Sequence, residues 1–301
     1  MTGSFLFLRL LPAVAALLAL RSPAFGLTMT EALDAPALSW QSTLGWSATF
    51  TSQAQDGLHA AQATAVANQS EQRIGTSVTG PGLFSVSWRS LAGDEDGSLA
   101  LEVDGRTVLK RNSQPFPWEQ VSINVPAGFH SVSIIMRADN SDFTALVDQV
   151  AYTGSRLPAA LALGDPDGLW VQTTNWQQSG GATHGGSGDF AAFQHPGGAG
   201  TLRLLRLLSE PATVKYWRKI ESATPGLYTD TSGRPFTAAW TQFTVIDGGR
   251  LDQPGLVELS VLASAQAAPG LVSLDDLEIK PLTPQEAVDL PQTFTVFSVS
   301  S

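Results

Sequence analysis

The feature that most constrains this chain is that it reads twice. Trp40 and Trp46 match Trp170 and Trp176 at an offset of 130. Gly57-Leu-His-Ala-Ala61 matches Gly188-Asp-Phe-Ala-Ala192 at 131, and the run 81–89 matches 210–218 at 129, ending on Trp-Arg in both. Trp118-Glu-Gln120 matches Trp240-Thr-Gln242 at 122, and 128–134 matches 255–261 at 127. Each copy closes on an aspartate-bearing run, Ala145-Leu-Val-Asp-Gln-Val-Ala-Tyr152 and Val272-Ser-Leu-Asp-Asp-Leu-Glu-Ile279, so that Asp148 and Asp275 differ by 127. Order is kept and the offset drifts in small steps, which unrelated stretches do not do. The chain is a duplication of a unit of about 120 residues, an ordinary domain size.

Each unit consists of short alternating runs broken by turn residues, the pattern of half-buried strands. Strands are predicted at 72–78, 83–90, 98–103, 106–110, 120–125, 131–137 and 145–152, and again at 200–208, 213–219, 227–230, 239–246, 256–263 and 272–279. Asp104-Gly105 lies between two runs and predicts a tight hairpin, whose turn needs positive φ. Many short strands without helical periodicity give an all-β fold: two tandem jelly-roll β-sandwich domains at 31–153 and 159–281. Residues 153–160 are the linker, and 282–301 form a C-terminal tail or an edge strand. Period-2 alternation places Asp148 beside Val150 and Tyr152, and Asp275 beside Leu277 and Ile279, on the buried face. A buried carboxylate requires a partner.

Composition removes several function classes. The net charge of −10 argues against nucleic acid, which needs a cationic surface, and against an anionic membrane. Residues 1–26 read as a secretory signal: Arg9, an apolar run over 10–20, then Ala24-Phe25-Gly26 with small residues at the cleavage positions. The mature chain is expected to start at Leu27, to be secreted to the extracellular space or cell surface, and to have no later membrane-inserting segment. There are no cysteines, so neither disulfides nor thiolate metal sites contribute.

The residues Ala32-Leu-Asp-Ala-Pro36, Asp56-Gly57 with Ala60-Ala61, Gly80-Pro-Gly-Leu-Phe-Ser-Val-Ser-Trp88, Val103-Asp-Gly105, Trp118-Glu-Gln120 and Val147-Asp148 resemble bacterial extracellular jelly-roll modules. These are concanavalin-like and carbohydrate-binding-like sandwiches, related in pattern to MAM and cleaved-adhesin domains. The resemblance covers nearly all of 31–153; the second unit keeps the closing Leu-Asp-Asp but lacks a clear Val-Asp-Gly hairpin. It implies a jelly roll, a structural calcium and a binding or attachment role. Calcium would take oxygens from Asp148 or Asp275 and from loop carbonyls, with Asp34 and Asp165 as second carboxylates. The alternative is that each closing aspartate caps a loop through backbone N–H groups.

Trp88 and Trp217, at matching strand positions, are expected in the core. Trp46 and Trp176 lie in loop-like stretches and are the candidates for stacking on sugar rings. The acidic run Asp94-Glu-Asp-Gly97 lacks Ca²⁺-loop spacing and reads as a solvated turn. His59, His130, His184 and His195 fall in no ligand spacing, no Gly-x-Ser-x-Gly elbow is present, and no strand offers closely spaced glutamates. The expectation is therefore a secreted binding protein without catalysis, its partner an extracellular glycan or another surface polymer. The alternatives are an adhesion or structural module that binds a surface protein, and a hydrolase of extracellular polysaccharide.

Overall fold

A computed structural model of the chain describes residues 26–43, 45–64, 71–92, 97–112, 114–138, 143–181, 183–185, 188–247, 255–283, 285–286 and 296–300. The signal reading over 1–26 and the acidic run at 94–97 fall almost wholly outside these residues. In the first half the order is α1 (Met29–Ala32), β1 (Gln41–Ser42), β2 (Trp46–Phe50), β3 (His59–Thr64), β4 (Gln72–Ala92), β5 (Ser98–Val103), β6 (Arg106–Asn112), β7 (Phe116–Arg137) and β8 (Thr144–Thr153). The second half runs α2 (Pro158–Ala162), β9 (Leu169–Gln172), β10 (Gln177–Gly181), β11 (Gly188–His195), β12 (Gly200–Leu202), β13 (Leu204–Leu207) and β14 (Ala212–Ser222). It continues with β15 (Tyr228–Thr229), β16 (Thr241–Asp247), β17 (Leu256–Glu258), β18 (Val261–Ala263), β19 (Gly270–Pro281) and β20 (Val296–Ser300). No helix among the described residues is long and apolar enough to cross a membrane.

The first half is built on one long antiparallel pair. β4 pairs with β7 from Gln72↔Met136 to Ser90↔Phe116, with a register shift at Gly80/Gly82. The first part of β4 carries β1, and its second part carries β8. The later part of β7 carries β5, and its earlier part carries β9. The pair therefore contributes to two layers, whose inner side chains form one core containing Ile74, Val78, Phe84, Val86, Trp88, Leu101, Ile134 and Val147. The runs predicted as separate strands at 72–78 and 83–90, and at 120–125 and 131–137, are each continuous, because the Gly/Pro residues between them bend the ladder without ending it. Glycine is required at the bend: a Cβ on Gly82 would lie 2.3 Å from the Tyr152 hydroxyl. The Asp104-Gly105 hairpin is present, with φ of 53° and 75° joining β5 to β6.

The second half has a six-stranded sheet, β10-β11-β19-β14-β16-β20, a small sheet β12-β18-β15, and the strip β9-β13-β17. That strip is not separate from the first half. β9 pairs with β7 through Ser122↔Gln172, Ile123↔Val171 and Asn124↔Trp170, so one sheet runs through both halves. β9 and β13 are consequently buried on both faces: Val171, Leu205 and Leu207 enter the first core, while Trp170 and Leu204 enter the second. Asn124, fully buried, fastens the joint. Its amide donates to the carbonyls of Pro166 (2.8 Å) and Gly168 (2.7 Å), and its Oδ1 accepts from Leu157 N–H (3.0 Å).

Pairing also gives the register of the repeat. Asp148 lies opposite Ser87, itself opposite Gln120. Asp275 lies opposite Trp217, itself opposite Gln242. Trp217 thus corresponds to Ser87, and the counterpart of buried Trp88 is Arg218, at an offset of 130. This corrects the expectation that Trp217 is a core residue: alternation turns it outward and puts Arg218, 1% exposed, in the core.

Candidate functional site

The closing aspartates do the same local work in both halves. Asp148 is followed by Gln149 at φ 50°, and Asp275 by Asp276 at φ 47°. Each left-handed residue is a bulge, where the ladder shifts between Ser85/Ser87 and between Lys215/Trp217. The bulge reverses the parity expected from period 2. Asp148 shares a face with Leu146 and Ser87, opposite the core-facing Val147 and Trp88. It is still fully buried, because the loop before β3 folds over that outer face and packs Ala54 on Ala60 and Leu146.

The carboxylates tie these loops down. Asp148 Oδ1 accepts from Gln149 N–H (2.7 Å) and Oδ2 from Gln55 N–H (2.8 Å). Asp275 Oδ1 accepts from Asp276 N–H (2.9 Å) and Oδ2 from His184 N–H (2.7 Å). Burial raises both carboxyls above the usual range against the opposing pull of these N–H donors; Asp56 and Asp34 push Asp148 further up, and Asp276 does so for Asp275. The geometry is that of a loop cap. In the second half the tied loop is further locked by rings: His184 stacks on Trp217 with centroids 3.4 Å apart, and its Nδ1 lies 2.8 Å from Asp276 Oδ2. The Lys219 ammonium sits 4.8 Å over Trp240, and in the first half Arg89 sits 5.7 Å over Trp118.

Of the two calcium ligand sets expected from sequence, Asp34 lies near Asp148 in the first half, whereas Asp165 in the second is engaged elsewhere. The Asp165 carboxylate is taken by Arg206 Nε (2.5 Å) and Trp170 Nε1 (3.0 Å). The residue that repeats the left-handed backbone of Asp34 (φ 55°) is Gly164 (φ 71°), one position earlier than Asp165. Asp34, whose charge reaches the Asp148 carboxyl, also joins Asp56 and His59, with one ligand atom from each within 4.8 Å of the others. Two carboxylates and an imidazole fit a first-row divalent ion such as Zn²⁺ better than Ca²⁺, which takes hard oxygens. Asp56 and His59 were missed because no local spacing links them to Asp34, 22 residues upstream.

Trp46 and Trp176, the expected sugar platforms, are 6% and 0% exposed and belong to the two cores. Trp46 opens β2 and Trp176 lies in the loop just before β10; both rings are packed into the cores, so neither offers a face to a ligand. A recess with a polar lining lies elsewhere, on the outer face of the first part of β4 and the later part of β7. It is a groove of about 480 Å³ floored by Gly75, Ser77, Ser131 and Ser133 and walled by Gln41 and Thr43. Its floor follows from the β4–β7 register, which sets Ser77 opposite Ser131 and Gly75 opposite Ser133. Arg73 closes one end and is paired with Glu71 and buried Glu102, which Arg137 also bridges. No carboxylate or imidazole is among the described residues that line the groove. His195, buried, is held by the Tyr228 hydroxyl and Gly197 N–H, and burial lowers its pKa.

No family model and no curated protein matches the chain. Among solved structures, a GH2 β-galacturonidase from Eisenbergiella tayi bound to galacturonate overlaps 77% of this chain and 37% of its own, at 11% identity and TM-score 0.19. A calcium-binding mutant of Bacteroides uniformis β-glucuronidase 2 overlaps 80% and 32%, at 10% identity and TM-score 0.20. The chain spans about a third of the length of each enzyme, and overlaps this slight bear on neither fold nor activity.

Proposed function

We propose that this chain is a secreted binding protein without catalysis, formed of two sandwich units at 31–153 and 159–281, whose ligand is an extracellular glycan. The observation that supports this is the groove over Ser77, Ser131 and Ser133. Hydroxyl and amide side chains at matched cross-strand positions offer paired donors and acceptors to a polyhydroxylated chain, and the lining has no acid–base pair to cleave it. The test is a glycan array followed by calorimetry with the mature chain. Wild type is expected to retain a polysaccharide, and Ser77→Trp, at an exposed floor position, to weaken binding at least tenfold with an unchanged melting temperature. Failure of wild type to retain any glycan, or equal binding by the variant, overturns the reading.

A second reading, attachment to a surface protein, is favoured by one feature. Phe50 (75% exposed) and Leu58 (62%) lie together where Thr51 N–H bonds the Leu58 carbonyl. In that case Phe50→Ser, and not Ser77→Trp, abolishes adhesion to cells.

A further inference from the structure

The edge formed by the first part of β7 is covered by β9, a strand of the other half. The corresponding edge in the second half is β16, because Gln120 and Gln242 hold the same place in the two ladders. β20 covers it. Ser122 pairs with Gln172 where Thr244 pairs with Ser298, and Asn124 pairs with Trp170 where Ile246 pairs with Val296. The terminal strand thus stands in the place that a following unit's first strand would take.

Two features distinguish the second junction from the first. Asn124, which clamps the first joint through three hydrogen bonds, is replaced by Ile246, which has no amide to do so. The connection to the covering strand is also far longer than its span. Pro281 is opposite Ala212, Ala212 is opposite Asp247, and Val296 is opposite Ile246, so β19 ends and β20 begins at one end of the sheet. The two points are separated by three inter-strand spacings, about 14 Å. Fourteen residues, 282–295, join them and reach ~50 Å when extended.

We propose that β20 is an exchangeable strand, and that the β16 edge is a docking site for the same strand of a second copy of this chain. In the monomer the site is filled in cis; at high protein concentration two chains trade their terminal strands across the long connection. The pairing is the same backbone ladder in both cases, so exchange creates no new contact and loses none. Tethering favours the cis form until the protein concentration approaches the effective concentration set by the connection.

The test shortens the connection. Deleting 284–295 leaves Leu282 and Thr283, which reach only ~10 Å and cannot close the strand in cis. This variant is expected to be a dimer by light scattering, with the amides of 242–246 as slowly exchanging as in wild type. A monomeric variant overturns the proposal. Should the deletion impair folding, a chain ending at Thr283 is offered a peptide of residues 294–301 and a scrambled control. Binding at 1:1, at least tenfold tighter than the control and with protection of the 242–246 amides, supports the proposal. Equal binding of the two peptides, or no binding, overturns it.

Discussion

Asp148 and Asp275 each anchor a loop through both carboxylate oxygens, and their burial couples that anchoring to pH. The sequence indicates that each is a buried acid requiring partners, and each has two backbone N–H donors. The face is not legible, because the bulge residue is Gln149 in one half and Asp276 in the other, and no glycine marks the left-handed turn. Since burial raises both carboxyls, the folded chain binds more protons than the unfolded chain once pH exceeds the ordinary value of 3.8. The stability these groups supply is thus fully present below that pH and is lost as pH rises through the folded-state value. Asp148→Asn removes the titration. In urea unfolding between about pH 4 and about pH 7, the advantage of wild type over this variant is expected to be largest at the acid end and to shrink as pH rises. A constant difference contradicts the assignment. At the Asp34–Asp56–His59 cluster, Zn²⁺ titrated into the protein is expected to raise the melting temperature with concentration, and His59→Ala to abolish the rise; Ca²⁺ is expected to act weakly.

At the scale of the element, alternation and turn chemistry made most strands legible: 98–103 is reproduced residue for residue, and the Asp104-Gly105 turn is where its chemistry requires it. The slip of one residue between Trp88 and Trp217 has a physical cause. Both segments end in Trp-Arg, but β14 buries the arginine where β4 buries the tryptophan. Arg218 fills that place as an aromatic would, 3.4 Å from the Phe243 ring centre and 4.0 Å from that of Phe236. Burial lowers its pKa to about 10, and burial likewise pushes the neighbouring Tyr216 up to about 12. Its charge is met by Asp230 at 3.2 Å, which also holds Arg234 at 2.7 Å and accepts from the N–H groups of Ser232 and Arg234. Removing the acid strands a buried cation, so Asp230→Ala is expected to cost about 3–5 kcal/mol in chemical denaturation. Arg218→Met costs less, since Asp230 keeps its other donors.

For the whole molecule, the duplication is readable in the sequence, but the joint between its copies is not, because sheet continuity depends on which edge the chain crosses. β9 and β13 serve both cores, and Asn124 holds the crossing with three buried hydrogen bonds. Asn124→Ala leaves one N–H and two carbonyls without that partner and is expected to destabilise the fold by at least ~2 kcal/mol. Calorimetry of wild type should show a single transition, and the variant should be cut more rapidly by protease within 153–160. The shared strip also sets an order of events on the ribosome. When Thr153 has emerged, the first core still lacks Val171, Leu205 and Leu207, and the edge of β7 has no neighbour. Leu207 follows 54 residues later, on the order of 3–10 s at ordinary synthesis rates. For that interval the nascent chain presents an open strand edge beside unfinished apolar surface, which is when a holding chaperone has the most to grip.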